Sequence, residues 1–538
     1  MGIRNGYPVR FTPKGLCDAL DATDAFPGAC SLLANLVFDQ GNPELVVPRP
    51  GVGTALTTFA GFTAPTFVSA YIVIGTVVYG MVSTGRTAGF DEPFAYNLAT
   101  NSFVTISGVT AGNVPTSPPS SGAWTPPSMA VIGSKIVVAH SGFSGTGSNF
   151  FGVIDISNPA APAWSAANTA TNALPGVPTV VANFNNRAWF AIGNVAYYSD
   201  VLVPTTRTNA SQSVTLGDTT PITAFAGLPV QTTSSGVTAA LIVFKSSQIW
   251  QVTGDPATNN LGLNYLSLTI GTVSPRSVAQ SPIGTHFVGS DAPYVVTPLG
   301  AIQQLVPDGR TTADVQTPFL NTTQPSRVAA AYSGSIYRVC VPTQLSGQNQ
   351  TNDYWFDMRR RRWNGPHSFA YDCAAQDGSF FVVSGVGHGA ALFLSTTLPT
   401  SNTSYADAGA TYQCHLRSST FPKNNRMSQL QVVESNIELS TSGSVSTNFS
   451  ITALNEKNTT LGSTSVTKSG GGSVWGSFSW GNAPWTALNA IPDVNPLGWP
   501  NALVFAKLAL DIFTNSGNPF QIGTFYARYQ DTGYIAQG

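Results

Sequence analysis

Val68-Ser-Ala-Tyr-Ile-Val-Ile-Gly75-Thr-Val-Val-Tyr79 is an apolar, β-branched run, a short turn and a second such run. Residues of this type at strand length, broken by a glycine, read as a β-hairpin rather than a helix. The stretch Phe67 to Val82 carries no charge, but it is short for a membrane span and Gly75 interrupts it. Two buried strands joined at Gly75 account for it better.

The phrase returns along the chain with little literal identity. Further copies are Met129-Ala-Val-Ile-Gly133-Ser-Lys-Ile-Val-Val138, Val180 to Ile192 around Asn185, and Leu241 to Val252 around Ser246. Val278 to Val288 around Gly284, Val328 to Val339 around Gly334 and Ala374 to Val383 around Gly378 complete the set. The mean spacing is about fifty residues, close to the repeat of four-stranded propeller blades. Each hairpin is apolar on both sides of its turn, so both faces need cover. Blades stacked around an axis supply it, and a lone hairpin does not. Several copies are followed by a further strand: Gly152-Val-Ile-Asp-Ile156, Asn194-Val-Ala-Tyr-Tyr-Ser199, Tyr294-Val-Val-Thr-Pro298 and Asp353-Tyr-Trp-Phe-Asp357. The expected fold is all-β, a β-propeller of six or seven blades over residues 61–400. Separate β-sandwiches are the rival reading of the same short strands.

After about Thr400 the texture changes. Tyr412 to Ser419, Met427 to Glu434, Val445 to Thr452 and Leu503 to Ile512 alternate with period two. That pattern buries one face and wets the other, as in an antiparallel sandwich or platform over residues 401–538. The turn-rich first sixty residues read as an arm, part of that platform. Gly470-Gly-Gly-Ser473 reads as a flexible tip, and Trp475, Trp480, Trp485 and Trp499 surround a proline-rich loop, as core staples or as a contact surface.

Composition narrows the function. Of 538 residues 42% are hydrophobic and 11% aromatic, but only 9% are charged, against about 25% in an ordinary soluble domain. Coiled coils and disordered chains are excluded. With 24 basic and 25 acidic residues, long-range attraction to nucleic acid has no support. Cys17, Cys30, Cys340, Cys373 and Cys414 lack the spacing of a zinc or redox motif and read as buried thiols. The N-terminus shows no apolar signal segment, so folding in a reducing cytoplasm is expected.

Catalytic signatures are missing. There is no H-E-x-x-H, G-x-S-x-G or P-loop, and the glycine-rich Ser141 to Ser148 reads as a loop. His140, His286, His367, His388 and His415 are scattered without metal spacing and read as surface or hydrogen-bonded histidines. Ser404-Tyr-Ala-Asp407-Ala-Gly409-Ala-Thr411-Tyr412 resembles the Asp-box turn of sialidases, but it is single and one residue out of pattern. Glycoside cleavage also needs paired carboxylates, and the nearest pair, Asp91-Glu92, reads as a turn. No enzyme activity, cofactor or metal is expected.

Arg359-Arg-Arg-Arg362-Trp363 is the sharpest charge run. It reads either as a positive contact for DNA phosphate or a partner subunit, or as a hairpin turn whose arginine stems cover aromatic faces. Partner docking is the better functional reading, because a DNA conduit should not grip its cargo.

Several pieces together resemble the tail nozzle proteins of short-tailed bacteriophages, also called tail tubular protein B or packaged-DNA stabilisation proteins. Phe26 to Asn35 leading into Leu45-Val-Val-Pro-Arg49-Pro-Gly51 is similar to their opening. Ala196 to Asp200, Leu241 to Pro256, Gly271 to Val278 and Val288-Gly-Ser-Asp291 before Tyr294 are similar to their propeller core. Asp357 to Trp363 fits their strand-turn-strand, and Leu416 to Pro422, Asn518 to Ile522 and Phe525 to Tyr529 fit their closing sandwich. The resemblance implies a structural virion protein assembled in the host cytoplasm, a homohexameric ring around the DNA channel. It implies partners in the tail adaptor and in fibres or a tail needle, with double-stranded DNA passing through unread and no membrane span. Arg359, Arg360, Arg361, Arg362 and Arg49 are the candidate contact residues. The alternative is a receptor-binding or glycan-cleaving, sialidase-like tail protein.

Overall fold

A computed structural model describes residues 7–18, 25–57, 59–84, 89–116, 126–233, 236–256, 260–272, 274–306, 315, 317–345, 348–377, 380–397, 405–421, 428–441, 446–469, 493–515 and 517–534. The chain is almost wholly β. The tip at Gly470 and the tryptophans 475, 480 and 485 lie outside the described residues.

Six sheets are self-contained blades in chain order. Blade 1 is Phe67–Ile74, Val77–Ser83, Asp91–Asn97 and Ser102–Val104. Blade 2 spans Ser128–Ile132 to Ala163–Ala167, blade 3 Val180–Phe184 to Ser213–Thr215, and blade 4 Ile222–Thr233 to Asn260–Ser267. Blade 5 spans Ala279–Ser281 to Ile302–Gln304, and the three-stranded blade 6 is Tyr371–Asp377, Phe380–Gly385 and Phe393–Thr396. Each recurring hairpin folds as read, with turns such as Asn185–Asn186, where both residues take positive φ as a two-residue hairpin requires.

One copy sits differently. The phrase at Leu241–Val252 forms the second and third strands of blade 4, not the first and second. The true inner strand, Ile222–Thr233, contains Gly227 and Pro229, so its β-branched pattern is broken. Asp91-Glu92 is a correction too. The pair opens a strand, and Asp91 is fully buried.

The double-faced burial demanded by the hairpins is met between neighbours. Tyr79, Met81, Ile136 and Val138 pack blade 1 on blade 2, and Phe151 and Phe190 meet between blades 2 and 3. Trp189 with Val243 and Phe244 with Phe287 continue the series to blade 5. Blade 6 closes on blade 1, where the Tyr71 hydroxyl donates to the carbonyls of Cys373 and Val382 at 2.8 Å.

The remaining hairpin belongs to a shared unit between blades 5 and 6: Ala329–Ser333, Ile336–Leu345, Gln348–Asp357 and Arg362–His367. Its last strand pairs with the N-terminal strand Ala29–Ala34, Leu33 lying opposite Gly365. The sheet then runs on through Gln413–Ser418, Leu508–Asn515, Thr447–Asn455 and Thr460–Lys468, ten strands with the short Gly15–Leu16. A seven-stranded sheet built on Ser428–Thr441 and Phe520–Tyr534 faces it, taking in N-terminal strands Tyr7–Phe11, Leu36–Phe38 and Val46–Pro48. Leu33, Leu416, Ile451 and Ile512 from one sheet and Ile437, Leu439 and Phe525 from the other share one core. Trp499 staples this core, its indole N–H donating to the Ser435 hydroxyl at 2.8 Å. All five cysteines are buried. Among the described residues no helix is long and apolar enough to cross a membrane.

Candidate functional site

A buried polar cluster lies where the propeller meets the sandwich. The strand Val46–Pro48 delivers Arg49 into the interior, where its side chain is 2% exposed. A planar fork of five N–H donors buried this deeply needs a matching acceptor set. Asp407 takes both terminal nitrogens, Nη1 to Oδ1 at 3.0 Å and Nη2 to Oδ2 more closely. Arg49 Nε donates to Asn35 Oδ1 at 3.0 Å, Nη1 to the Pro50 carbonyl at 3.0 Å and Nη2 to Ser368 Oγ at 3.3 Å. The guanidinium also lies 4.4 Å from the Tyr412 ring centre, and the Tyr412 hydroxyl donates to the Arg49 carbonyl. Burial opposes the Arg49 charge, but Asp407, Tyr412 and Asp353 together outweigh it and hold the pKa above the ordinary arginine value.

Local backbone makes this clasp possible. Asp407 sits in a small hairpin, Ala406–Asp407 against Ala410–Thr411, that turns through Ala408 and Gly409 with positive φ. A Cβ at Gly51 would lie 2.2 Å from the Ala406 carbonyl oxygen, so only glycine lets the two segments touch. Val52 N–H then donates to Asp407 Oδ1 at 3.0 Å, and Ala408 N–H to the Val52 carbonyl at 2.9 Å. The Asp-box-like turn and the Arg-Pro-Gly segment, 358 residues apart, are thus two halves of one lock.

A second buried pair stands beside it. Arg338 Nε and Nη2 reach Asp353 Oδ2 at 3.0 and 2.6 Å, and Nη1 donates to Ser395 Oγ at 2.7 Å. The Tyr371 hydroxyl donates to Asp353 Oδ1 at 2.9 Å, so the pair joins the shared unit to blade 6. Arg338 is likewise held above the ordinary value, Asp353 and Tyr371 together outweighing the opposing burial. His367 packs edge-on to Trp355 at 4.8 Å, with neither ring nitrogen hydrogen-bonded among the described residues. Burial, then the charges of Arg49 and Arg338, push its pKa well down, so it is neutral in the fold.

Arg49, read from sequence as a docking residue, is therefore corrected: its guanidinium is spent inside the chain and is not presented to a partner. The four-arginine run forms the turn between Gln348–Asp357 and Arg362–His367 and splits by role. Asp357 Oδ1 accepts the backbone N–H groups of Arg359 and Arg360 at 2.9 and 3.2 Å. Arg360 pairs with Asp357 at 2.7 Å and donates to the Asp39 and Gln40 carbonyls of the N-terminal arm at 2.7 and 3.3 Å. Arg361 is half-buried at a positive φ of 49°, and Arg362 lies over Phe38 at 5.7 Å. Arg359 is the exposed member, its Nε donating to Ser335 Oγ at 3.1 Å.

Pairs that sequence reasoning missed include His140 with Asp91 at 2.9 Å, both buried, and His415 with Asp511, which also holds Arg417 at 3.0 Å. Their partners are 49 and 94 or more residues apart, so no spacing signal marks them. Among the described residues no group of three or more His, Cys, Asp or Glu side chains could hold a metal ion.

Neither a family profile nor a curated protein matches the sequence. Solved structures do. The β-propeller domain of the Trilobed protease from Pyrococcus furiosus is 9% identical over 61% of this chain and 95% of its own, with a TM-score of 0.33. A puromycin-hydrolyzing peptidase of Mycobacterium tuberculosis is 12% identical over 68% of this chain and 61% of its own, at 0.36. Bacteroides ovatus xyloglucan PUL GH43B is 8% identical over 90% of this chain and 98% of its own, at 0.26. Likeness at this level says nothing of activity.

Proposed function

We propose that this chain is a structural subunit of a short-tailed bacteriophage tail, a nozzle protein acting without catalysis. Six copies form a ring around the DNA channel in the virion. The ring retains packaged DNA, docks the adaptor and the fibres or needle, and opens for ejection. The sequence resemblance supplies the family. The physical observation that carries the reading is the ten-stranded sheet that leaves the propeller and enters the sandwich, clamped at the crossing by Arg49 and Asp407. Hydrogen-bonded strands and a buried bidentate pair transmit force between the two parts without a hinge, which suits a ring that must resist the pressure of packed DNA. Arg359, the outward member of the run, is the candidate for contact with a partner or with DNA phosphate.

Electron microscopy of the purified full-length chain, with native mass spectrometry, tests this. The expected result is six-fold rings around an open channel. A trimer, or a monomer that persists at high concentration, overturns it.

A further inference from the structure

A shallow cleft of about 600 Å³ opens on the outer face of the ten-stranded sheet, in the sandwich. That volume is in the range of small-ligand sites. Strand alternation turns Gln413, Asn448, Ser450, Phe513 and Asn515 outward, and Asn518 joins them from the loop that follows. None of the described lining residues carries a charge. The wall is therefore amide and hydroxyl around one aromatic ring.

That ring is held in place. Phe513 is 37% exposed, and one side of its ring stacks on the cross-strand His415 ring at 3.7 Å and 25°. His415 Nε2 is hydrogen-bonded to Asp511, and Asp511 accepts from Arg417 Nε and Nη2 at 3.1 and 3.0 Å. Those hydrogen bonds and that ion pair hold Asp511 below the usual carboxylate range against the opposing effect of burial. The trio is paired within itself beside the ring, on the same face of the sheet, and holds Phe513 in its orientation.

From this arrangement we infer that the cleft binds a neutral saccharide. One pyranose face lies on Phe513, and its hydroxyls bond the amides of Gln413, Asn448 and Asn515. A flat aromatic platform takes the C–H face of a sugar by dispersion, while amides both donate and accept, as hydroxyl groups require. A ring already fixed by its stacked neighbour loses little freedom on binding. Uronic and sialic acids are disfavoured, because the described residues that line the cleft include no cation to receive a carboxylate. This activity would add surface adhesion to the tail reading and does not depend on it.

The test is a glycan array probed with the full-length chain, followed by saturation-transfer NMR with the neutral oligosaccharides retained. Phe513→Ala should weaken binding at least tenfold, Asn448→Ala severalfold, and Phe513→Tyr should retain it. Both positions are on the outer face, so the melting temperatures of all three variants should stay close to the parent. Failure to retain any neutral glycan, a preference for acidic ones, or unchanged binding by Phe513→Ala overturns the proposal. So does loss of the oligomer in Phe513→Ala, which would make the cleft a protein interface.

Discussion

The blade-to-blade seams and the propeller–sandwich junction solve different problems. Between blades the contacts are mainly apolar and repeated: Phe151 on Phe190, Phe244 on Phe287, Trp189 with Val243. Any hairpin with two apolar faces fits such a seam, and no single residue decides it. At the junction an apolar core is joined by a charged contact that occurs once, Arg49 on Asp407. Hydrophobic seams give cohesion with loose geometric demands, whereas a bidentate pair is made in one register only. The seams hold the ring of blades together. The junction fixes how that ring sits on the sandwich.

Breaking the junction should have the largest effect. Arg49→Met leaves Asp407 without its counter-charge in the interior, and loss of one partner of a buried pair costs about 3–5 kcal/mol. Arg49→Lys should rescue little, since a point charge cannot replace the fork. The double variant Arg49→Met/Asp407→Leu should recover most of the loss, because no unpaired charge remains. Urea unfolding followed by tryptophan fluorescence reads all three. If the double variant is as damaged as Arg49→Met alone, the charge argument fails. If Arg49→Met splits one transition into two, the junction is what couples the domains.

Acid sharpens the comparison at an intermediate scale. His286, stacked on Tyr337 at 4.8 Å, has its pKa pushed down by burial to about 4, from an unfolded value near 6.5. The unfolded chain takes up the proton first, so stability is intact above about pH 6.5. It falls as the pH drops toward 4 and falls no further below that. The loss from this one group is about 3 kcal/mol. His367 at the junction is depressed in the same direction and adds to the fall. His286→Gln should melt lower than the parent at pH 7.5 yet lose less on going to pH 4.5. A parallel fall in parent and variant would remove His286 from the account.

The same contrast explains what could be read from sequence. The hairpins were legible because β-branched runs and turn residues are local, and a two-faced apolar strand has few places to go. The inner strand of blade 4 was missed where Gly227 and Pro229 interrupt the pattern. The junction was half legible. Arg49-Pro-Gly51 and the Ser404–Tyr412 segment stood out singly, but nothing local says that Asp407 faces an arginine 358 residues away. Asp91 shows the same limit. Two adjacent acids suggest a turn, and only the fold supplies His140 to receive one of them inside a strand.

The smallest effect is expected within the arginine run, where the two readings of that motif can be separated. Arg360 is tied to the Asp357 carboxylate and to the carbonyls of Asp39 and Gln40, so Arg360→Ala removes charged hydrogen bonds worth about 1.5–3 kcal/mol. Arg359 is exposed, and its Nε bond to Ser335 is open to water, so Arg359→Ala should change stability by less than about 0.5 kcal/mol. A run that serves only as a turn predicts that Arg359→Ala is silent in assembly as well. A contact run predicts normal melting together with weaker ring formation or faster DNA loss from particles carrying the variant. Ring formation by native mass spectrometry, compared at 50 and 300 mM salt, separates them. An exposed charge contact weakens with salt in the parent and loses that dependence in the variant, whereas a turn residue shows neither.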